Sequence, residues 1–147
     1  PAAGNASMIV TPPDKALELS RDRNIRIRLL GFGLSRADLA FMPEAPVPAA
    51  NMALKQADLD ISAIDAIKTH NPFAVNDVLF AQQTGIDVMN MNNYGCSLIW
   101  GHPQGPTGLR SIIELIEELV VRGGGLGLFT GCAAGDTAMA SVIMVGD

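Results

Sequence analysis

Two histidines and two cysteines occur in the 147 residues, so each side chain able to exchange a proton near neutral pH can be weighed singly. His102 lies in Gly101-His102-Pro103-Gln104-Gly105-Pro106-Thr107-Gly108, a turn built from Gly and Pro that restricts the backbone around the imidazole. The turn stands just before a run with helical periodicity. Free N–H groups and the positive dipole end at a helix start favour a neutral imidazole over imidazolium, and a neutral imidazole is a base. Cys132 carries a thiol of ordinary pKa near ~8.5, which works near neutrality once neighbours lower it modestly. Each group also has a purely structural reading: a hydrogen-bonded histidine at a helix entrance, and a buried free cysteine at a strand end. No metal site is expected. There is no close pair such as Cys-x-x-Cys, and the four residues are spread over more than sixty positions.

The elements that must position these groups follow from periodicity. Leu109, Ile112, Ile113, Ile116, Leu119 and Val120 recur at helical spacing, which predicts an amphipathic helix over residues 109–122. Gly123-Gly124-Gly125 stops it, and Leu126-Gly127-Leu128-Phe129-Thr130 reads as a short apolar strand ending at Cys132. Residues 138–145 read as a final strand. Upstream, Ala66-Ile67-Lys68-Thr69 reads as a strand delivering His70-Asn71-Pro72-Phe73, followed by a helix over 75–83 with Gly85 as its C-cap. Residues 48–55 form a helix entered through proline, and Ser62 is expected to cap a short turn. Residues 25–30 alternate as a half-buried strand should, with the Arg side chains toward solvent, continued by Gly31-Phe32-Gly33. The stretch 34–46 reads as a loop, and 88–94 as an irregular, Asn-rich connection. Near the start, Met8-Ile9-Val10-Thr11 is expected as a first strand, with Asp14 as N-cap of a short helix over 15–21. The triple glycine is no dinucleotide fingerprint, because it follows a helix instead of linking a strand to one.

Composition excludes several classes. With 48% hydrophobic and 17% charged residues the chain is built to bury surface, part of which can belong to a partner. A net charge of −5 with scattered basic residues leaves no footprint for a phosphate backbone, so nucleic acid is not an expected partner. No run approaches the ~18 to 20 apolar residues of a membrane span, and the first residues do not show the charged and apolar regions of a signal peptide, so none is expected. Two cysteines fit a reducing compartment, and a soluble, cytoplasmic protein is the expectation.

Gly-His-Pro-x-Gly-x-x-Gly at residues 101–108, the amphipathic helix, the glycine turn, the strand and then Thr130-Gly131-Cys132-Ala133-Ala134-Gly135 together resemble the C-terminal half of a thiolase. The opening Pro1-Ala2-Ala3-Gly4-Asn5-Ala6-Ser7 is similar to the segment that lines the coenzyme A channel in that family. The resemblance implies an α/β domain over residues 1–147 with a mixed five-stranded sheet covered by helices. It also implies an acyl-CoA acyltransferase, catalysing reversible Claisen condensation or thiolytic cleavage of 3-ketoacyl-CoA. On that reading Cys132 is the second acid/base, His102 activates the nucleophile and donates to an oxyanion hole, and His70 donates to the same hole. The backbone N–H of Ala134 serves a second oxyanion hole, and Ala3 and Ser7 touch the pantetheine arm. Coenzyme A is a substrate, and no separate cofactor is implied.

Several residues depart from the family pattern. His70-Asn71-Pro72-Phe73 replaces Asn-Glu-Ala-Phe and is similar to the His-Asp-x-Phe variant of sterol-carrier-protein-type thiolases. Ala134 stands where a glycine is usual, so a positive φ there would cost ~1 to 2 kcal/mol. Cys96 replaces a glycine ahead of the His102 turn and is read as packing. Ser7 passes straight into Met8, where the family continues through a Gly/Asp/Ala-rich stretch, so either this chain has a deletion or residues are missing at that point. The nucleophilic cysteine belongs to the family's N-terminal domain, which makes that domain the expected partner, with a homodimer or tetramer as the full assembly. The isolated chain is expected to be inert. Three other readings stand beside this one: a ketoacyl-synthase-like condensing enzyme, against which the Cys132 motif argues, a non-catalytic acyl-CoA or lipid binding module, and a purely structural partner subunit.

Overall fold

The computed structural model describes residues 2–146, in the order α1 (Pro13–Leu19), β1 (Ile27–Arg36), α2 (Pro46–Gln56), β2 (Ala66–His70), α3 (Ala74–Thr84), α4 (Ser97–Trp100), α5 (Thr107–Arg122), β3 (Gly125–Ala133) and β4 (Thr137–Val145). Pro1 and Asp147, the ends of the expected domain, lie outside the described residues. The strands form one sheet in the order β1-β4-β3-β2, with β2 and β3 parallel and the other pairs antiparallel. It is therefore a mixed α/β sheet, but of four strands among the described residues instead of the expected five. The missing one is the run from Met8 to Thr11, which has no strand structure. Met8, Ile9 and Val10 are consecutive apolar residues without alternation, and all three are exposed.

Alternation along β3 and β4 sorts the core into two layers. Leu128, Ala138, Ala140 and Val142 face α2 and α3, where Ala45, Ala49, Ala50, Ala53, Leu54, Ile67, Phe80 and Met91 complete one cluster. Phe129, Ile143 and Val145 face the other way and pack with Ala66 against Leu115 and Leu119 of α5. Of the helix's apolar residues, Leu119 is fully buried as the periodicity implied, together with Leu115. Ile112, Ile116 and Val120 flank that cluster.

β1 departs most from expectation. The pairing shifts between Leu29 and Gly31, a bulge that changes which residues face inward. Ile27 and Leu29 are 48% and 60% exposed, so the half-buried alternation over 25–30 is not realised, and Gly31 and Gly33 become the buried positions. They allow α2 to lie directly on the strand: a Cβ at Gly33 would stand 2.1 Å from the Ala49 carbonyl oxygen. The strand also extends to Arg36, into the expected loop.

Two caps differ as well, while a third is as expected. Helix α1 starts at Pro13, one residue before Asp14, because a proline in the first turn gives up no needed N–H. Asp60, not Ser62, caps the short turn Ile61–Ala63: its Oδ1 accepts from the Ser62 backbone N–H at 2.9 Å and from the Ser62 hydroxyl at 2.8 Å. Gly85 ends α3 with φ 75°, in the left-handed conformation a C-cap requires. No helix among the described residues is long and apolar enough to cross a membrane.

Candidate active site

His70 is the last residue of β2, and its partner in the parallel register is Gly131 of β3. A Cβ at Gly131 would come within 2.6 Å of the His70 Cβ, so glycine there makes room for the imidazole. From across the site the turn after α4 brings His102, whose ring centroid lies 4.6 Å from that of His70 in an edge-on arrangement, 61° between planes. Cys132 follows Gly131 and by strand alternation projects to the opposite face of β3, where α3 meets it. The three groups thus share one end of the parallel strand pair. His70 and His102 are in direct contact, and Cys132 stands one residue beyond their strand partner.

Each imidazole is held differently. His102 Nδ1 is 3.1 Å from the hydroxyl of Thr107, a fully buried residue in the first turn of α5. The residue before it is also pinned, since Arg110 Nη2 donates to the Gly101 carbonyl at 3.4 Å while its Nε pairs with Glu114 at 3.3 Å. Behind them Lys68, fully buried in β2, donates to the Gly95 carbonyl at 2.7 Å, with Glu114 4.0 Å away. Burial pushes the Lys68 ammonium below its ordinary range, and Glu114 and Glu118 oppose that.

His70 is fixed through its neighbours. Asp77, in the first turn of α3, accepts hydrogen bonds from the Thr69 hydroxyl and, at 2.5 Å, from Asn71 Nδ2. Asn92 receives the Thr69 backbone N–H at 2.9 Å and returns a bond to its hydroxyl at 2.8 Å. Asn71 Oδ1 accepts the Ser97 N–H at 3.1 Å, tying α4 to the same knot. The imidazole between these clamps has a buried Nε2 without a hydrogen-bond partner among the described residues. Burial, then the His102 ring and the Arg110 charge, push its pKa from 6.5 down to about 4. At neutral pH His70 is therefore uncharged. Cys132 is buried too, and burial pushes its thiol up; a hydrogen bond from Asn76 Nδ2 at 3.3 Å pulls the other way.

The remaining expected residues fall nearby. Ala134 is exposed just after β3, and it has no positive φ; the left-handed residues of that turn are Gly135 and Asp136. The strain anticipated at Ala134 is absent because the turn places its left-handed positions one residue later. Ala3 and Ser7 lie on an exposed coil whose Gly4 runs beside Pro103 of the His102 turn. Cys96 is buried at the N-cap of α4 and, like Cys132, is a free thiol. Among the described residues no three His, Cys, Asp or Glu side chains gather as metal ligands would.

Asn76, Asp77, Asn92, Thr107 and Arg110 were not singled out from the sequence. The available signal was a polar pair, Asn76-Asp77, on the first turn of a helix that directly follows the His70 motif.

This sheet with its two helical layers is the thiolase fold. The crystal structure of the Bacillus anthracis acetyl-CoA acetyltransferase superposes with a TM-score of 0.81 at 27% identity, covering 90% of this chain and 33% of that one. Human mitochondrial 3-ketoacyl-CoA thiolase gives 0.77 at 30% identity, covering 80% and 30%. The family model "Thiolase, C-terminal domain" matches residues 24–145, and the chain belongs to that family. In sequence, 3-ketoacyl-CoA thiolase of Aliivibrio fischeri is 34% identical over 97% of this chain and 36% of its own length. The chain spans little more than a third of such relatives.

Proposed function

We propose that this chain is the acid/base half of a thiolase that condenses or cleaves 3-ketoacyl-CoA, completed by an N-terminal domain that carries the nucleophilic cysteine. The observation that carries the reading is the contact of His70 and His102 beside the Gly131-Cys132 strand end. In the condensing direction the C–H bond next to a thioester breaks, an S–H bond forms at Cys132, and the electron pair moves to the enolate oxygen. An uncharged His70 can offer an N–H to that oxygen, and its unpaired Nε2 is the atom available to do so. His102, oriented through Nδ1 by Thr107, keeps its other nitrogen for the nucleophile and the same oxygen. The Ala134 N–H is assigned to the second oxyanion.

Coenzyme A enters as substrate, and the reaction calls for no group beyond side chains, backbone donors and substrate. A structure of human mitochondrial 3-ketoacyl-CoA thiolase is a complex with CoA, which supports coenzyme A as the substrate; we assign its pantetheine arm to Ala3 and Ser7, on the coil whose Gly4 runs beside Pro103 of the His102 turn. Exposed Phe73, Val75 and Val78 around α3, with Leu98, Ile99 and Trp100 of α4, supply apolar surface for the companion domain. We assign the assembled enzyme to a homo-oligomer in the reducing cytoplasm, in keeping with two free thiols. His70 in the asparagine's place allies it with the sterol-carrier-protein-type variant.

The test is thiolysis of acetoacetyl-CoA by the chain together with its N-terminal domain. Cys132→Ala is expected to lower kcat about 10²- to 10⁴-fold, the usual worth of a positioned acid/base. Undiminished thiolysis in that variant, or sustained turnover by the isolated chain, sinks the reading.

A further inference from the structure

Asn76 has an arrangement that packing alone does not explain. It is 3% exposed in the first turn of α3, its Nδ2 donates to Cys132 Sγ at 3.3 Å, and its Oδ1 finds no partner among the described residues. A buried amide with an unpaired oxygen is costly, and an apolar side chain would fill the same space without that cost. The sulfur of a neutral thiol returns little, being a weak acceptor. A thiolate returns much more, because hydrogen bonds to an ionised acceptor are roughly twice as strong as neutral ones. The amide therefore discriminates between the two states of Cys132 instead of stabilising the fold evenly.

Its aim is fixed by the next residue. Asp77 binds Thr69 and Asn71 on either side of His70, which fastens the first turn of α3 to the end of β2. That attachment holds Asn76 over the end of β3, 56 residues away in sequence.

We propose that Asn76 is a positioning residue for Cys132: its side-chain amide holds the sulfur at the end of β3 and favours the thiolate, setting how readily Cys132 takes up and returns the substrate's proton. The catalytic consequence rests on the acid/base reading of Cys132, whereas the effect on the thiol does not.

The test follows the two thiols directly. Cysteine labelled with ¹³C at Cβ reports the ionisation of Cys132 and Cys96 separately by NMR titration of the purified chain. Asn76→Ala is expected to raise the Cys132 midpoint by about one pH unit, the scale of a charge-assisted hydrogen bond. Cys96 should stay in place, and Asn76→Gln, which keeps the amide donor, should recover part of the shift. Where the alanine variant fails to fold, Asn76→Leu, which fills the same space without a donor, is read in the same way. An unmoved Cys132 midpoint in a folded variant overturns the proposal. So does a lowered one, which would mean that the amide oxygen accepts from the neutral thiol. Failure of the thiolase reading looks different: Cys132 shifts as expected, yet the chain combined with its N-terminal domain shows no thiolysis. In an active assembly, Asn76→Ala should move the pH profile of kcat upward with Cys132 and leave KM nearly unchanged.

Discussion

His70 and His102 meet edge to ring in one site, yet the regions that present them are built on different physics. His102 sits on a turn, and its control is local: Thr107, five residues on, holds Nδ1, and Arg110 on the same helix pins the Gly101 carbonyl. His70 sits on a strand end, and its control is distant. Asp77 on α3 and Asn92 in the following connection grip its two neighbours while the ring itself is buried without a partner at Nε2. One imidazole is oriented by a hydrogen bond; the other is kept neutral by desolvation. A site that needs a base and a neutral donor side by side can obtain both from histidine only if their surroundings differ in this way.

Substitutions can break that contrast. The largest expected effect is at His102. In the assembled enzyme His102→Ala should reduce kcat/KM for acetoacetyl-CoA thiolysis about 10³- to 10⁴-fold, and His70→Ala by about 10²- to 10³-fold, the range for one oxyanion donor. Equal losses would mean that the two rings do not divide the work as described.

Asp77→Ala comes next, because it removes the acceptor for the Thr69 O–H proton and for the Asn71 amide N–H in a buried setting. About 2 to 3 kcal/mol of stability should disappear in urea unfolding, since each unpaired buried group costs about 1 to 3. A loss near zero would show that the knot around His70 is not structural.

Thr107→Val tests the local control and should do less. It removes the 3.1 Å contact to Nδ1, which predicts a loss of about 1 kcal/mol and a smaller fall in kcat than deletion of the ring.

Folding should also depend on pH through His70. His70 is depressed from 6.5 to about 4 in the folded chain, so between those values the unfolded chain binds a proton that the folded chain refuses. Stability attributable to His70 is whole above pH 6.5, falls as pH drops through this window, and levels off below about 4. His70→Gln should flatten that part of a urea-midpoint profile measured from pH 7.5 to 4, and a parent profile already flat there would remove desolvation as the cause.

The same contrast explains what could be read from the letters. The His102 region was legible because its determinants are neighbours. The turn glycines, the helical period ending at Arg122 and the strand into Cys132 follow one another in a single unbroken stretch of chain, and α5 and β3 formed where the pattern placed them. The four-residue helix α4 was missed, since so short an element carries no periodicity. β1 was misread in its burial for a related reason: alternation assumes an unbroken register, and the bulge at Leu30 depends on how β4 pairs with it.

By itself the sequence determined the α/β class, the long helix, the strand ends that carry His70 and Cys132, and the thiolase resemblance. The helix and the strand ends follow from spacing between residues close in the chain, and the α/β class is what the resemblance implies. Only the tertiary structure decided the four-strand order, the contact between the two imidazoles, the neutral state of His70 and the amide that reaches Cys132. Those depend on burial and on pairs far apart in sequence, such as Thr69 with Asn92 or Asn76 with Cys132. A polar side chain next to a catalytic motif looks like surface until folding removes the water around it, and from then on its hydrogen-bond partner sets its role.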